Sequence, residues 1–169
     1  MSQPFVAILI GSDADYPQVE PAIDTLKKFG ITLEVKVASV HRAPDLAQGY
    51  VRDADKRGCA AFICAAGLAA HLAGLVAANT IRPVIGVPLE AALDGLDALL
   101  STLQMPGGVP VATMSIGKAG ARNAAYLAIQ MLALTDAALA QKLKDDRAAG
   151  VKNVQEKDAA LQARLAAKG

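Results

Sequence analysis

The segment FVAILIGSDADY, Phe5–Tyr16, decides the fold. Six apolar residues in succession, Phe5–Ile10, read as a strand covered on both faces, because a strand with one wet face would alternate apolar with polar. Gly11 ends the run and a polar turn follows to Tyr16. Pro17 suits the first turn of a helix, where its missing N–H is not needed. Val19, Ile23, Leu26 and Phe29 then recur at helical spacing, and Gly30 stops the helix.

The same unit repeats outward along the chain. Thr32–Val37 reads as a second strand, Ala38–Pro44 as a loop, and Pro44 to about Arg57 as a helix. Cys59–Ala65 is the third strand, followed by a loop of small residues and a helix near Leu72–Ala78. Pro83–Val87 is the fourth, with a helix around Leu93–Leu103 and a loop at Gln104–Pro110. Val111–Ile116 is the fifth. Ala119–Leu134 is a helix apolar nearly all round, which predicts burial, here at a subunit contact. Strands alternating with helices imply right-handed crossovers and a parallel sheet covered on both sides. Five such units predict an α/β protein of the flavodoxin-like type, a three-layer α/β/α sandwich.

We read residues 1–169 as a single catalytic domain, with a core at about 5–135 and a helical tail at about 136–167. Val151, Val154, Leu161 and Leu165 give the tail an approximately helical apolar spacing. That predicts a helix docked on its own or a neighbouring subunit; the alternative is a regulatory tail.

Composition narrows the function classes. The chain is 53% hydrophobic but 4% aromatic, so aliphatic residues do the packing, and so much of them predicts further burial between copies in a homo-oligomer. A net charge of +1 argues against a nucleic-acid binder. The start, Met1–Gly11, lacks the basic region of a signal peptide, and Ala119–Leu134 falls short of the roughly 20 apolar residues that span a bilayer. Both point to a cytoplasmic protein without a membrane partner. Cys59 and Cys64 are an odd number of residues apart in one strand, which predicts opposite faces, and two histidines without Cys-x-x-Cys argue against zinc.

Ligands of open α/β sheets bind beyond the carboxyl ends of the strands. Three loops there carry polar residues: Gly11–Asp15, Ser39–Pro44 and Ala66–His71. The first offers a glycine, the Ser12 hydroxyl and free N–H groups at a helix start, suited to a phosphate or sugar. Its plainer reading is a helix start with Asp13 and Asp15 on the dipole. In the second, Arg42 can grip a phosphate in bidentate fashion, Ser39 can donate a hydroxyl, and His41 titrates near neutrality. A solvated loop is the alternative there, and a structural histidine the alternative for His71. No G-x-G-x-x-G or Walker A lysine is present, so dinucleotide and ATP sites have no direct support.

Six ordered blocks then carry a resemblance. Gly11-Ser12-x-x-Asp15, Ser39-Val40-His41-Arg42-Ala43-Pro44, Ala69-Ala70-His71-Leu72, Gly86-Val87-Pro88, Gln104–Val111 and Ile116–Ala125 resemble the N5-carboxyaminoimidazole ribonucleotide mutases, over roughly Val6 to Leu143. The resemblance implies a flavodoxin-like octamer with sites near subunit contacts. It also implies an isomerase of de novo purine (IMP) biosynthesis, moving a carboxyl group from the exocyclic nitrogen of the substrate to ring carbon C4. His41 would be the general acid/base. Ser12, Ser39 and Arg42 would hold the 5′-phosphate and Asp15 the ribose, while the Gly67–Leu72 loop, with Gly67, Ala70, His71 and Leu72, would enclose the base. No cofactor or metal is implied, because the carboxyl group arrives on the substrate.

The chain departs from the family at Ala14, where a second serine is usual, at Ala65 and Leu68, where glycines are usual, and at Ala73, where proline is usual. Val40 for alanine and Ala112 for glycine are milder changes. Leucine tolerates positive φ poorly, so Leu68 predicts an altered loop path or a narrower pocket. One alternative function is the related carboxylase (a carboxy-lyase) using free CO2, against which Arg42, in place of that subgroup's lysine, and Pro44 count. A divergent enzyme carboxylating another aromatic ribonucleotide is a second. A non-catalytic flavodoxin-like nucleotide-binding module is a third, and a receiver domain would need an aspartate where Cys64–Ala66 stands.

Overall fold

The structure, a computed structural model, describes residues 4–167. The first three residues of the N-terminal stretch discussed above therefore lie outside it. The chain divides into two compact units, one up to Ile129 and one from Gln130 onward.

The first unit is built on five parallel strands, β1 (Phe5–Ile10), β2 (Thr32–Val37), β3 (Cys59–Ala66), β4 (Val84–Pro88) and β5 (Ala112–Thr113), in the order β2-β1-β3-β4-β5. The helices between them are α1 (Tyr16–Phe29), α2 (Pro44–Lys56), α3 (Leu72–Ala77) and α4 (Leu96–Leu103), with α5 (Gly117–Ala133) following β5. This is the flavodoxin-like sandwich predicted above. All six residues of β1 are buried, as the unbroken apolar run requires of a central strand. Edge strand β2 is more exposed and correspondingly more polar.

Under one face of the sheet, Ala47, Val51 and Ala54 of α2 and Leu72, Ala73 and Val76 of α3 pack on Ala7, Leu9 and Phe62. Helices α1 and α5 meet through an edge-to-face contact of Phe29 with Tyr126, their ring centroids 5.7 Å apart. Gly30, at φ +77°, ends α1 in the left-handed conformation and donates its N–H to the Leu26 and Lys27 carbonyls. Gly86 lets α4 approach β4: a Cβ there would lie 2.4 Å from Thr102 Cγ2 and 3.0 Å from Val111 Cγ1.

Three expectations are corrected. Cys59 and Cys64 share one core cluster instead of facing opposite ways. The cause is an irregularity between Phe5 and Val6 in the pairing with β3, where Phe5 lies opposite Cys59 but Val6 opposite Ala61, so one extra residue reverses the alternation. Burial raises both thiols, Cys59 to about 11, so neither is a ready nucleophile. Second, α4 begins at Leu96, not Leu93, because Leu93, Asp94 and Gly95 take φ values of +46°, +52° and +81° in succession. Third, β5 is two residues long. Ser115 already packs against Gly120 at the start of α5. On α5, Gly120, Ala121, Ala124, Ala125 and Ala128 face inward, whereas Lys118, Arg122 and Asn123 are exposed in the single chain.

The second unit is dominated by α6 (Ala137–Ala166), capped by Asp136, whose Oδ1 accepts from the Leu139 N–H at 2.9 Å. Val151, Val154, Leu161 and Leu165 on this helix are exposed. Among the described residues no helix is long and apolar enough to cross a membrane.

Candidate active site

Where β1, β2 and β3 end, the chain turns outward to opposite sides of the sheet, and a crevice opens between the loops. It forms a cavity of about 360 Å³. The loops after β1, β2 and β3 line it, and Ala91 joins from the segment after β4.

The first wall is a helix start that caps itself. The Ser12 N–H donates to Asp15 Oδ2 at 2.9 Å, while Ser12 Oγ accepts from the Ala14 N–H at 3.3 Å and donates to Asp13 Oδ1 at 3.1 Å. Burial raises the pKa of Asp15; the Ser12 N–H pulls it down, and the Asp13 charge adds to the rise.

The second wall carries the cation. Arg42 donates from Nε to Ser39 Oγ at 3.2 Å, and its backbone N–H reaches the same oxygen at 3.4 Å. Its two terminal nitrogens bond no other described residue. They are free to grip an anion as a planar fork.

His41 crosses the cavity to the third wall. Its Nε2 lies 2.8 Å from His71 Nδ1, with the rings edge to face at 77° and 4.9 Å between centroids. One of these nitrogens holds a proton and the other a lone pair. The pair is an acid and a base in contact, on a surface otherwise made of Ala66, Leu68, Ala69 and Leu72.

The third loop is held at both ends. The Leu89 N–H donates to the Ala66 carbonyl at 3.0 Å, and the Ala70 N–H donates to Ser101 Oγ at 3.1 Å. Between these anchors Gly67 lies so close to Ala91 that a Cβ on it would be 3.1 Å away from that methyl. Leu68 takes φ +56°, which costs a leucine on the order of 1–2 kcal/mol.

Of the residues singled out by sequence, Ser12, Asp15, Ser39, His41, Arg42, Gly67, His71 and Leu72 all line this cavity. Ala70 does not; it is buried, with its N–H turned to Ser101. Ala38 and Ala91 line the cavity without having been expected there. Position was the only signal for Ala91, since a loop after β4 opens on the same sheet edge. Gln18 fixes that segment by exchanging hydrogen bonds with the Glu90 backbone, at 3.4 and 3.3 Å. Among the described residues no three His, Cys, Asp or Glu side chains gather as metal ligands would.

A family model described as AIR carboxylase matches residues 5–153. The chain belongs to the AIR carboxylase family. Relatives within it include the N5-carboxyaminoimidazole ribonucleotide mutase of Bacillus subtilis, 51% identical over 146 residues that cover 86% of this chain and 90% of that protein. The protein of the same name from Mycobacterium tuberculosis is 50% identical over 169 residues, covering 98% and 94%. A crystal structure of PurE from Treponema denticola superposes with a TM-score of 0.84 at 26% identity, covering 93% of this chain and 98% of that one. Together, the family match, the two relatives and the fold agree with the resemblance read from the six sequence blocks. In this AIR carboxylase family member, the polar side chains of the first three blocks line the cavity, whereas Gln104, Lys118, Arg122 and Asn123 of the later blocks do not.

Proposed function

We propose that this chain is a mutase of de novo purine biosynthesis, converting N5-carboxyaminoimidazole ribonucleotide to 4-carboxyaminoimidazole ribonucleotide. The relatives bearing the mutase name are half identical to it over most of both chains. The observation that carries the mechanism is the contact of His41 with His71 inside the cavity that also holds Ser12, Ser39 and Arg42.

The Arg42 fork and the Ser12 and Ser39 hydroxyls take the 5′-phosphate, and Asp15 takes the ribose hydroxyls. This anchors the nucleotide with its base toward His41 and the loop from Gly67 to Leu72. His41 protonates the exocyclic nitrogen, and the C–N bond of the carbamate breaks with release of CO2. Ring carbon C4 then attacks CO2, and the C4 proton returns to His41. One proton enters and one leaves, so a single imidazole serves both transfers. His71, in hydrogen-bond contact, orients that imidazole and fixes which nitrogen carries the proton. The carboxyl group arrives on the substrate, so this chemistry needs no biotin, ATP or metal. Its requirement is confinement of CO2 beside C4.

The protein acts in the cytoplasm as a homo-octamer, with the small nucleotide as ligand and neither nucleic acid nor membrane as partner. The exposed row Leu96, Leu100 and Leu103 on one side of α4 supports burial between copies. Sedimentation of the purified protein tests the assembly; a monomer would refute it. The reaction is tested by supplying freshly prepared carbamate nucleotide, or aminoimidazole ribonucleotide with bicarbonate, and following 4-carboxyaminoimidazole ribonucleotide. The mutase reading expects the carbamate to be the far better substrate. Equal or better use of free CO2 would make the enzyme the carboxylase instead.

A further inference from the structure

The side chain of Leu68 has no packing reason to be where it is. Its backbone sits at φ +56°, a conformation that glycine adopts without strain. The conformation is imposed by distant anchors, Leu89 holding the Ala66 carbonyl and Ser101 holding the Ala70 N–H. Burial in the core does not offset the strain, because the residue is 57% exposed. The isobutyl group instead stands on the lining of the cavity that contains the two histidines. The other apolar groups there are mostly methyls, from Ala38, Ala66, Ala69 and Ala91, while Leu72 is packed into the core and Val40 against it. Leu68 is thus the large apolar side chain at this site with freedom to fold over a bound ring.

We infer that Leu68 is the cover that retains CO2 between its release from nitrogen and its capture at C4. The inference rests on the mutase reading above. The side chain is largely exposed. Over a bound base it would shed water and place hydrocarbon across the route by which CO2 leaves and bicarbonate-bearing solvent enters. The quantity it controls is a partition. Each CO2 released either forms the C4–carboxyl bond or escapes, leaving aminoimidazole ribonucleotide behind.

The test uses the full-length chain and substrate carrying 13C in its carbamate carboxyl, in a large excess of unlabelled bicarbonate. The fraction of 13C kept in 4-carboxyaminoimidazole ribonucleotide, and the aminoimidazole ribonucleotide released per turnover, are measured by mass spectrometry and chromatography. The parent enzyme is expected to keep most of the label. Leu68→Gly, which suits the backbone and so preserves the loop, is expected to release at least several-fold more aminoimidazole ribonucleotide per turnover and to lose label in proportion. Leu68→Met, which restores an apolar cover of similar length, is expected to return both quantities toward the parent values. An unchanged partition in Leu68→Gly at measurable turnover overturns the assignment, as does equal leakage from the glycine and methionine variants. If the parent chain itself makes no 4-carboxyaminoimidazole ribonucleotide from the carbamate, the mutase reading fails and the cover falls with it, an outcome distinct from the other two.

Discussion

His41 and His71, thirty residues apart in sequence, bring Nε2 and Nδ1 to within 2.8 Å of each other, so that one nitrogen donates and the other accepts. A proton on both facing nitrogens would set two N–H groups against each other, and a proton on neither would leave no hydrogen bond. The contact therefore fixes the orientation of each ring relative to the other.

Replacing His41 by Asn is expected to lower kcat by roughly 10²–10⁴-fold, the usual contribution of a positioned acid/base. Affinity for aminoimidazole ribonucleotide should stay within a few-fold of the parent. Steady-state kinetics and calorimetric titration read the two quantities separately. A near-normal kcat would remove His41 from the chemistry.

Arg42→Ala is expected to weaken binding of the phosphorylated nucleotide by about 10- to 100-fold, the equivalent of ~1.5–3 kcal/mol for a charge-assisted hydrogen bond. The dephosphorylated nucleoside should bind parent and variant alike. Equal losses for both ligands would show that the guanidinium, though free at its terminal nitrogens, does not meet the phosphate.

Glu34 carries the clearest pH dependence of stability. Arg57 bonds both of its carboxylate oxygens, Tyr50 donates to it at 2.7 Å, and these partners hold its pKa at about 2 against an ordinary 4.5. A depressed folded-state pKa adds stability that is complete above about 4.5 and is lost as pH falls through about 2. The cluster is largely exposed, so the loss should be only about 1 kcal/mol or less. Urea unfolding at pH 7 and pH 3 should show a smaller difference for Glu34→Gln than for the parent. An identical difference would place the acid sensitivity elsewhere.

Gly86→Ala is expected to cost about 1–3 kcal/mol in denaturant unfolding, because its methyl would collide with Thr102 Cγ2 and Val111. Thr102→Ser removes that methyl yet keeps the hydroxyl, which bonds the Ala98 carbonyl at 2.7 Å. The double variant should recover part of the loss. Strict additivity of the two changes would mean that the helix moves away instead of meeting the new side chain.

The sequence alone determined five strands alternating with helices, and the edge of the sheet on which the polar loops open. Those features follow from local period and from residues that stop or start an element, such as Pro17, Gly30 and Pro44. It also supplied His41, Arg42, Ser12 and Ser39, since polar groups at strand ends of an open sheet have one crevice to share. Tertiary structure alone decided the 2.8 Å meeting of the histidines, the common face of Cys59 and Cys64, and the turning of Ala70 toward Ser101. It also bent Leu68 and the Leu93–Gly95 turn into positive φ. Each of these depends on strand register or on hydrogen bonds from residues remote in the chain, and such partners leave no periodic trace in the segment they shape.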